Sequence, residues 1–447
     1  MVVRFQVLVE CIDEESQKVI GRKTIHDKII QPIKTIMELG FRHNEQIKII
    51  QKIQDSLLEN QSNLLQEDIS HCPECGIKLQ RHGFKKSEFH SVFTDHTVGV
   101  RRLKCGKCSW RSVPSVQSLL GSSVHPDLAK LQCELASDHS YRDTQDILDK
   151  KASVCRKINN HDRIRHTIEN VGNTIELLHN ANAVKPQAAA PELIVQVDGG
   201  HVCDKSPHAR SFEALTCVVY RPENIIVNAK TGNAEIINKP CVASALDDSQ
   251  ASIKTLALKA AQAQGLSRET AVTALCDGAK NCWNVVDFIQ PEAQKVLKIL
   301  DWFHLSMKFE NLSVSEGNAS KVKKIKWHLW RGFPERAIRR LGELLEVTEP
   351  TKERTKIQKL LTYIENNKAC IVDYRTRKKN GLIFTSQMAE STVESLINQR
   401  CKSKQHMSWT RKGLHSLLQI RTALSGNDWL ENWQQYIMSA LTSPKPI

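Results

Sequence analysis

The sequence predicts an α/β protein: a mixed-sheet domain carrying a helical insertion, preceded by a cysteine-bearing ribbon and a helical region. Three observations lead there. Apolar, β-branched runs alternate with helical stretches between 193 and about 305. From about 306 to 380 the chain is basic and helical in pattern, with no strand evident. Upstream, four cysteines fall into two close pairs.

At 447 residues the chain is too long for one ordinary core, and about two to four domains are expected. With 40% apolar and 25% charged residues it reads as globular. A formal charge of +14 and a pI near 9.1 imply a polyanionic partner, because Lys and Arg neutralising phosphates supply most non-specific nucleic-acid affinity. Composition alone does not separate DNA, RNA and ribosomes. The start, "MVVRFQVLVE", holds Arg4 and alternates like a strand, unlike a signal peptide. No run approaches the roughly 18 apolar residues of a membrane span, so a cytoplasmic protein without a membrane role is expected. Of the 14 cysteines, those outside the two pairs are scattered through apolar or helical contexts, which suits a reducing compartment with one metal site.

Residues 1–67 read as a strand followed by helical stretches, "IIQPIKTIMELG" and "NEQIKIIQKIQDSLLENQ", forming an accessory segment. Residues 68–118 hold the paired cysteines, and 119–182 turn helical. There Ile164, Ile168, Val171, Ile175 and Leu178 step by four and three along one helix face, which can pack inside its own domain or pair two protomers. The helices over 140–151, "SYRDTQDILDKK", and 161–180 have the order of a helix-turn-helix, the second as reader; an ordinary helical linker domain or a dimerising stripe fits equally. Residues 183–192 form a linker of Pro and small residues. The sheet domain spans 193–447, its early strands antiparallel, with the helical insertion at about 306–382. "SQMAESTVESLINQRCKSK" reads as a helix with Ser386 at its N-cap.

Cys72 and Cys75, then Cys105 and Cys108, form two CxxC knuckles separated by residues 76–104. Four thiolates so arranged match one tetrahedral structural Zn²⁺, and the long gap requires a hairpin between the knuckles. Within the gap lie Lys78, Arg81, Lys85, Lys86, Arg101, Arg102 and Lys104, against Glu88 and Asp95 alone. Of these, Lys85, Lys86, Arg101 and Arg102 are the candidate DNA contacts. A merely solvated basic surface is the bland alternative.

Asp198 ends the apolar run "LIVQVDGG", and Asp277 ends "TALCDGAKNCW". Both precede glycine, so both carboxylates are expected at the sheet's rim where the backbone turns away. Hard, anionic oxygen ligands let Mg²⁺ or Mn²⁺ keep open positions for substrate oxygens. Two such ions roughly 3.5–4 Å apart serve an in-line displacement at phosphorus. A third acid is then needed. Glu390 and Glu394 lie one helical turn apart, and spacing alone does not choose between them. No acid follows from 395 to 427, whereas Arg400, Lys402, Lys404, Arg411, Lys412 and Arg421 do.

"VQVDGG", "LCDGA", "ILDWFH" and "SQMAESTVESLINQRCKSKQHMSW" together resemble the bacterial insertion-sequence DDE transposases with an RNase H-like core, closest to the ISKra-type group, over about 60–447. The resemblance implies catalytic, Mg²⁺-binding residues Asp198, Asp277 and Glu390. Glu390 is preferred because Arg400, Lys402 and Trp409 then fall on the family's frame. These, with Lys404, join the expected DNA contacts. It also matches Asp301 and His304 to an Asp and His three apart, an auxiliary pair of structural or strand-positioning type. The implied activity cleaves each element end, freeing a 3′-hydroxyl that attacks target DNA at the same two-ion site, with no covalent protein intermediate. Implied partners are the terminal inverted repeats, target DNA and further copies of the chain, and the implied location is the bacterial nucleoid. An inactive or domesticated zinc-ribbon DNA-binding protein, and an RNase H-like nuclease or resolvase, are the alternatives.

The insertion carries Lys321, Lys323, Lys324, Lys326, Arg331, Arg336, Arg339 and Arg340, with Trp327 and Trp330 among them. Such a pattern can grip phosphates and stack on an exposed base. The competing reading is a solvated helical face whose tryptophans are core.

Overall fold

The computed structural model describes residues 3–65, 69–181, 184, 187–207, 209–227, 234–236, 240–349, 352–385, 392–402, 407–426 and 429–443. Glu390 and Lys404, and the N-cap Ser386, lie outside them. The chain divides into two compact units, Met1–Thr174 with Glu431–Ile447, and Ile175–Leu430.

In the first unit β1 (Val3–Ile12) and β2 (Val19–Ile30) form an antiparallel hairpin, and α1 (His43–Leu64) follows. "IIQPIKTIMELG" is not the helix its apolar spacing suggests. Its first residues end β2, and only the 3-10 turn Ile36–Glu38 is helical. Pro32 disfavours α backbone in the residue before it, which keeps this stretch extended.

β3 (Gln80–His90) and β4 (Asp95–Lys104) pair antiparallel, so the segment between the cysteine knuckles is the expected hairpin. Val98 and Val100 of β4 pack on Val116 of α2 (Val116–Leu120), with Leu58 of α1 against them. α3 (Pro126–Asp138), α4 (Tyr141–Ala152) and α5 (His161–Ala181) follow. Ile164, Ile168 and Val171 of α5 are wholly buried, so this part of the apolar stripe is core.

The loop between α4 and α5 is tied to the β3–β4 turn by Arg156. Its guanidinium donates to Asp95 Oδ1 at 2.5 Å and to the carbonyls of Ser91, Val92 and Thr94. Burial works to raise the Asp95 carboxyl, but the hydrogen bonds from His90 and Arg156 outweigh it and hold the group well below its ordinary range.

The second unit is built on a mixed five-stranded sheet. β5 (Glu192–Cys203) lies at its centre, and the order is β11 (Lys295–Leu300), β10 (Ala271–Cys276), β5, β6 (Ser211–Tyr220), β9 (Cys241–Ser244). β11, β10 and β5 are mutually parallel, and β6 runs against both β5 and β9. A further small hairpin joins β7 (Ile225–Val227) and β8 (Ala234–Ile236).

Side-chain alternation along β5 sorts two cores. Leu193, Val195 and Val197 face α6 (Ala251–Ala263) and α7 (Lys280–Ile289), whose Ile253, Ala257, Val285 and Ile289 cover them. Ile194, with Tyr220 and Leu300, faces the helices that follow β11: α8 (Trp302–Glu310), α9 (Glu316–Trp330), α10 (Pro334–Glu346), α11 (Lys352–Asn367) and α12 (Tyr374–Lys379). The stretch expected to be helical and basic is therefore helical, and it is seated on one face of the sheet. Tyr374 fixes it by donating its hydroxyl to the Leu300 carbonyl at 2.7 Å. The π-helix Glu394–Lys402 and α13 (Arg411–Ser425) follow, and Gln419 of α13 donates to the β9 carbonyl of Ala243 at 2.9 Å.

Candidate functional site

The parallel strands set the site. The β5–β10 ladder ends at Val197 opposite Cys276, and the β10–β11 ladder ends at Cys276 opposite Leu300. The next residue on each strand is an aspartate: Asp198, Asp277 and Asp301. Three aspartates thus follow directly where the parallel pairing of three adjacent strands stops, the side on which open α/β sheets present their clefts.

β5 does not turn at its glycines, contrary to the sequence expectation. It continues to Cys203 as a ribbon with β6, pairing Gly199 with Leu215 and Gly200 with Ala214. The glycines instead make room on both sides. A Cβ at Gly199 would lie 2.7 Å from Glu213 Oε1, and one at Gly200 would lie 3.1 Å from Lys402 Nζ. Gly278 after Asp277 does turn, with φ +92°, and a Cβ there would meet Leu300 and Tyr363 at 2.9 Å.

The three aspartates differ in what they hold. Asp198 is 6% exposed, and its Oδ1 accepts the Gly199 N–H at 2.7 Å. Burial pushes its carboxyl above the ordinary range; His304 and the Gly199 N–H oppose this, while Asp277 and Asp301 add to it. Asp277 Oδ1 accepts the Ala279 N–H at 2.8 Å, and the Tyr363 hydroxyl holds its backbone carbonyl at 2.6 Å. In both aspartates it is Oδ1 that the backbone engages, which leaves Oδ2 as the oxygen turned to other partners.

Asp301, wholly buried, is saturated: it caps α8 through the N–H groups of Phe303 and His304, and its Oδ2 lies 2.7 Å from His304 Nδ1. The Asp301–His304 pair therefore acts as a helix cap that holds an imidazole ring near the other acids. Burial works against protonation of His304, but the bond to Asp301 and the charge of Asp198 push its pKa above the ordinary value.

Glu213 went unnoticed in the sequence. It lies across the ribbon from His201, half-buried, and Asn281 at the start of α7 donates to its carboxylate. Burial pushes this carboxyl up as well; His201 opposes the shift, and Asp277 and Asp198 add to it. The available signal was an acid inside the apolar run "SFEALTCVVY", on the strand that follows the Asp198 strand.

Of the expected DNA contacts, Lys402 reaches β5 at Gly200, and Lys85, Lys86 and Arg102 are exposed on the β3–β4 hairpin. Three others are buried. Arg400 is 2% exposed, with its guanidinium 5.2 Å from the Trp409 ring. Trp409 is itself buried, and its backbone extends the end of β5 through bonds to Cys203 and Lys205. Arg101 is 8% exposed. These three serve packing, because a guanidinium stacked in an apolar setting stays charged without facing solvent. Glu394, at the head of the π-helix, is exposed and bonded to Asn398 at 2.8 Å.

In the first unit the four cysteine sulfurs lie within 4.8 Å of one another. Sulfur separations are 3.5 Å for Cys72 and Cys108, 3.4 Å for Cys75 and Cys105, and 3.8 Å for Cys75 and Cys108. Zn–S bonds of about 2.3 Å set tetrahedral sulfurs about 3.8 Å apart, so the cluster could bind a metal such as zinc. Backbone N–H groups of Cys108 and Lys107 point at Cys105 Sγ from 3.4 Å and hold its thiol down, to about 6. Among the described residues this is the one group of three or more His, Cys, Asp or Glu side chains close enough to share an ion. No described helix is long and apolar enough to cross a membrane.

The model of an uncharacterised protein family, UPF0236, matches residues 121–435, and the chain belongs to that family. The matched region contains Asp198, Asp277 and Glu390 and begins after the cysteine knuckles. No curated protein matches the chain.

Proposed function

We propose that this member of the family is a metal-dependent DNA transposase with an RNase H-like core, which cuts element ends and joins their 3′-hydroxyls to target DNA. The observation that carries the reading is the placement of Asp198 and Asp277 one residue past the last parallel pair of adjacent strands, each with one oxygen tied to a backbone N–H. The strand order β11-β10-β5-β6-β9, with β6 alone reversed, supports an RNase H-like core. The formal charge of +14 supports a phosphodiester substrate.

Asp198 and Asp277, with Glu390 as third acid, would hold Mg²⁺ or Mn²⁺. Two such ions would supply activation of the attacking oxygen and stabilisation of the leaving oxygen of an in-line displacement. In the first step water loses a proton and attacks phosphorus, the P–O3′ bond breaks, and the freed 3′-oxygen takes up a proton. In the second, that 3′-hydroxyl loses its proton and attacks a target phosphate, whose own 3′-oxygen leaves. Lys402, beside Gly200, would meet a phosphate oxygen. His304, held by Asp301, would when protonated offset the negative charge of Asp198. The cysteine cluster with its basic hairpin is read as a structural zinc ribbon that contacts DNA, and the active form as an oligomer, because two ends are joined together.

The test is cleavage of a labelled duplex carrying the element's end, with Mg²⁺ or Mn²⁺. Asp198→Asn, Asp277→Asn and Glu390→Gln are each expected to abolish cutting while leaving duplex binding in place. Cutting retained by Asp198→Asn would overturn the metal site. Loss in Glu394→Gln but not in Glu390→Gln would reassign the third acid alone.

A further inference from the structure

Helix α9 buries Val322, Ile325 and Leu329 in the core of the insertion. Beside them Lys323, Lys326, Trp327 and Trp330, at i, i+3, i+4 and i+7, line a cavity of about 690 Å³, which Val322 also lines. α8 supplies the other wall through Trp302, Phe309 and Glu310.

The tryptophans of the insertion divide between two roles. Trp330 is packed: its ring centre is 4.7 Å from that of Trp302, and its plane is within 13° of Tyr374. Trp302 is tilted 56° to Trp330, and the two indoles form the cavity's aromatic floor. Trp327 is 52% exposed and stands at the cavity's mouth. An indole left half in water beside an apolar cavity offers a free stacking face. The rim is charged as well. Lys326 is paired with Glu310 at 2.6 Å, which neutralises the acid in the lining. Lys323, exposed on the next turn, adds net positive charge, and Lys321 and Lys324 flank it.

An aromatic site with an exposed indole and a cationic rim, in a chain of +14, is complementary to a planar ring that carries a phosphate. An apolar peptide would match the floor but not the lysines. The cavity volume lies in the range of small-ligand pockets, ample for a single base. α8 also starts at Asp301, beside the carboxylates, and runs about 13 Å along the cavity wall.

We propose that this cavity takes an unstacked nucleobase of a DNA strand, with Trp327 stacking on the base and Lys323 on its phosphate. The proposal rests on the DNA-transposase reading for the identity of the strand.

The test compares a labelled single-stranded oligonucleotide with the same strand carrying abasic sites, bound by the full-length protein at fixed salt. Wild type is expected to bind the base-bearing strand at least about five-fold more tightly, the lower end of one base stacked on an aromatic side chain. Trp327→Ala should remove that preference, and Trp327→Phe should keep most of it. Both variants should show the wild-type thermal transition, since Trp327 is half exposed. A preference unchanged in Trp327→Ala, or weakening of both strands by the same factor, would overturn the pocket. Preferred capture of an apolar peptide over either strand would do the same. Failure of the two readings separates cleanly: a protein that binds no DNA sinks both, whereas one that cuts element ends with its base preference untouched by Trp327→Ala sinks the pocket alone.

Discussion

Gly199 and Gly200 show how much rests on two missing methyl groups. At Gly199 a Cβ would come within 2.7 Å of Glu213 Oε1 and 2.9 Å of Leu215 Cδ2, on a strand whose ladder does not yield. At Gly200 the nearest atom is the flexible tip of Lys402, at 3.1 Å. Gly199→Ala is therefore expected to cost about 1–3 kcal/mol by overpacking, and Gly200→Ala clearly less. Urea denaturation of the two variants measures the difference, and equal costs would refute the assignment of the first glycine to Glu213. The carboxylate itself is tested by Glu213→Gln. That variant keeps the hydrogen-bond acceptor for Asn281 and removes the charge beside Asp277 and Asp198. Folding should survive, and end cleavage should fall if the charge serves the site; wild-type cleavage would assign Glu213 to packing alone.

At the scale of elements, the β3–β4 hairpin is held at both ends by different chemistry. At its base the sulfurs of Cys72, Cys75, Cys105 and Cys108 converge. A structural metal contributes its binding free energy directly to folding, so the protein should carry about one zinc per chain by elemental analysis. Chelation, or Cys105→Ser, should lower the melting temperature of the first unit; an unchanged melt after complete removal of zinc would exclude a structural role. At the turn, Arg156 and His90 hold Asp95. A carboxyl whose folded pKa is depressed contributes stability above its unfolded pKa of about 3.9, and loses it as pH falls toward the folded value. The first unit should therefore weaken as pH falls below about 4. Arg156→Ala should lower stability at pH 7 by about 2 kcal/mol, discounted for the part-exposed Asp95, and flatten that acid dependence. A wild-type acid dependence in Arg156→Ala would refute the clasp.

This hairpin was legible in sequence because CxxC spacing and β-branched alternation are local signals. Asp198, Asp277 and the helical insertion were legible for the same reason. Glu213 was not, because its place depends on register across two strands. Nor was the burial of Arg400 and Trp409, because a basic residue in a polar-looking stretch gives no sign that an indole from a later loop will cover it. "IIQPIKTIMELG" misled through apolar spacing that Pro32 overrides.

For the whole molecule, the open quantity is how much of the +14 charge faces a polyanion. The structure sorts the basic residues by exposure. Lys85, Lys86 and Arg102 are exposed on the hairpin and Lys402 reaches Gly200 of β5, whereas Arg101 and Arg400 are buried. Only exposed cations can release counterions from DNA, and each phosphate contact contributes about 0.9 to the slope of log K against log salt. Replacing Lys85, Lys86 and Arg102 together by Ala should therefore reduce the slope for duplex binding by about 2.7 if all three lie on phosphate. Arg400→Met, by contrast, should leave the slope unchanged while lowering stability, since its guanidinium stacks on Trp409 away from water. Anisotropy titrations across a salt series measure both. A slope untouched by the triple substitution would make the hairpin a solvated basic surface and move the DNA footprint to the second unit, where Lys402 lies against Gly200 and the basic face of α9 borders the aromatic cavity.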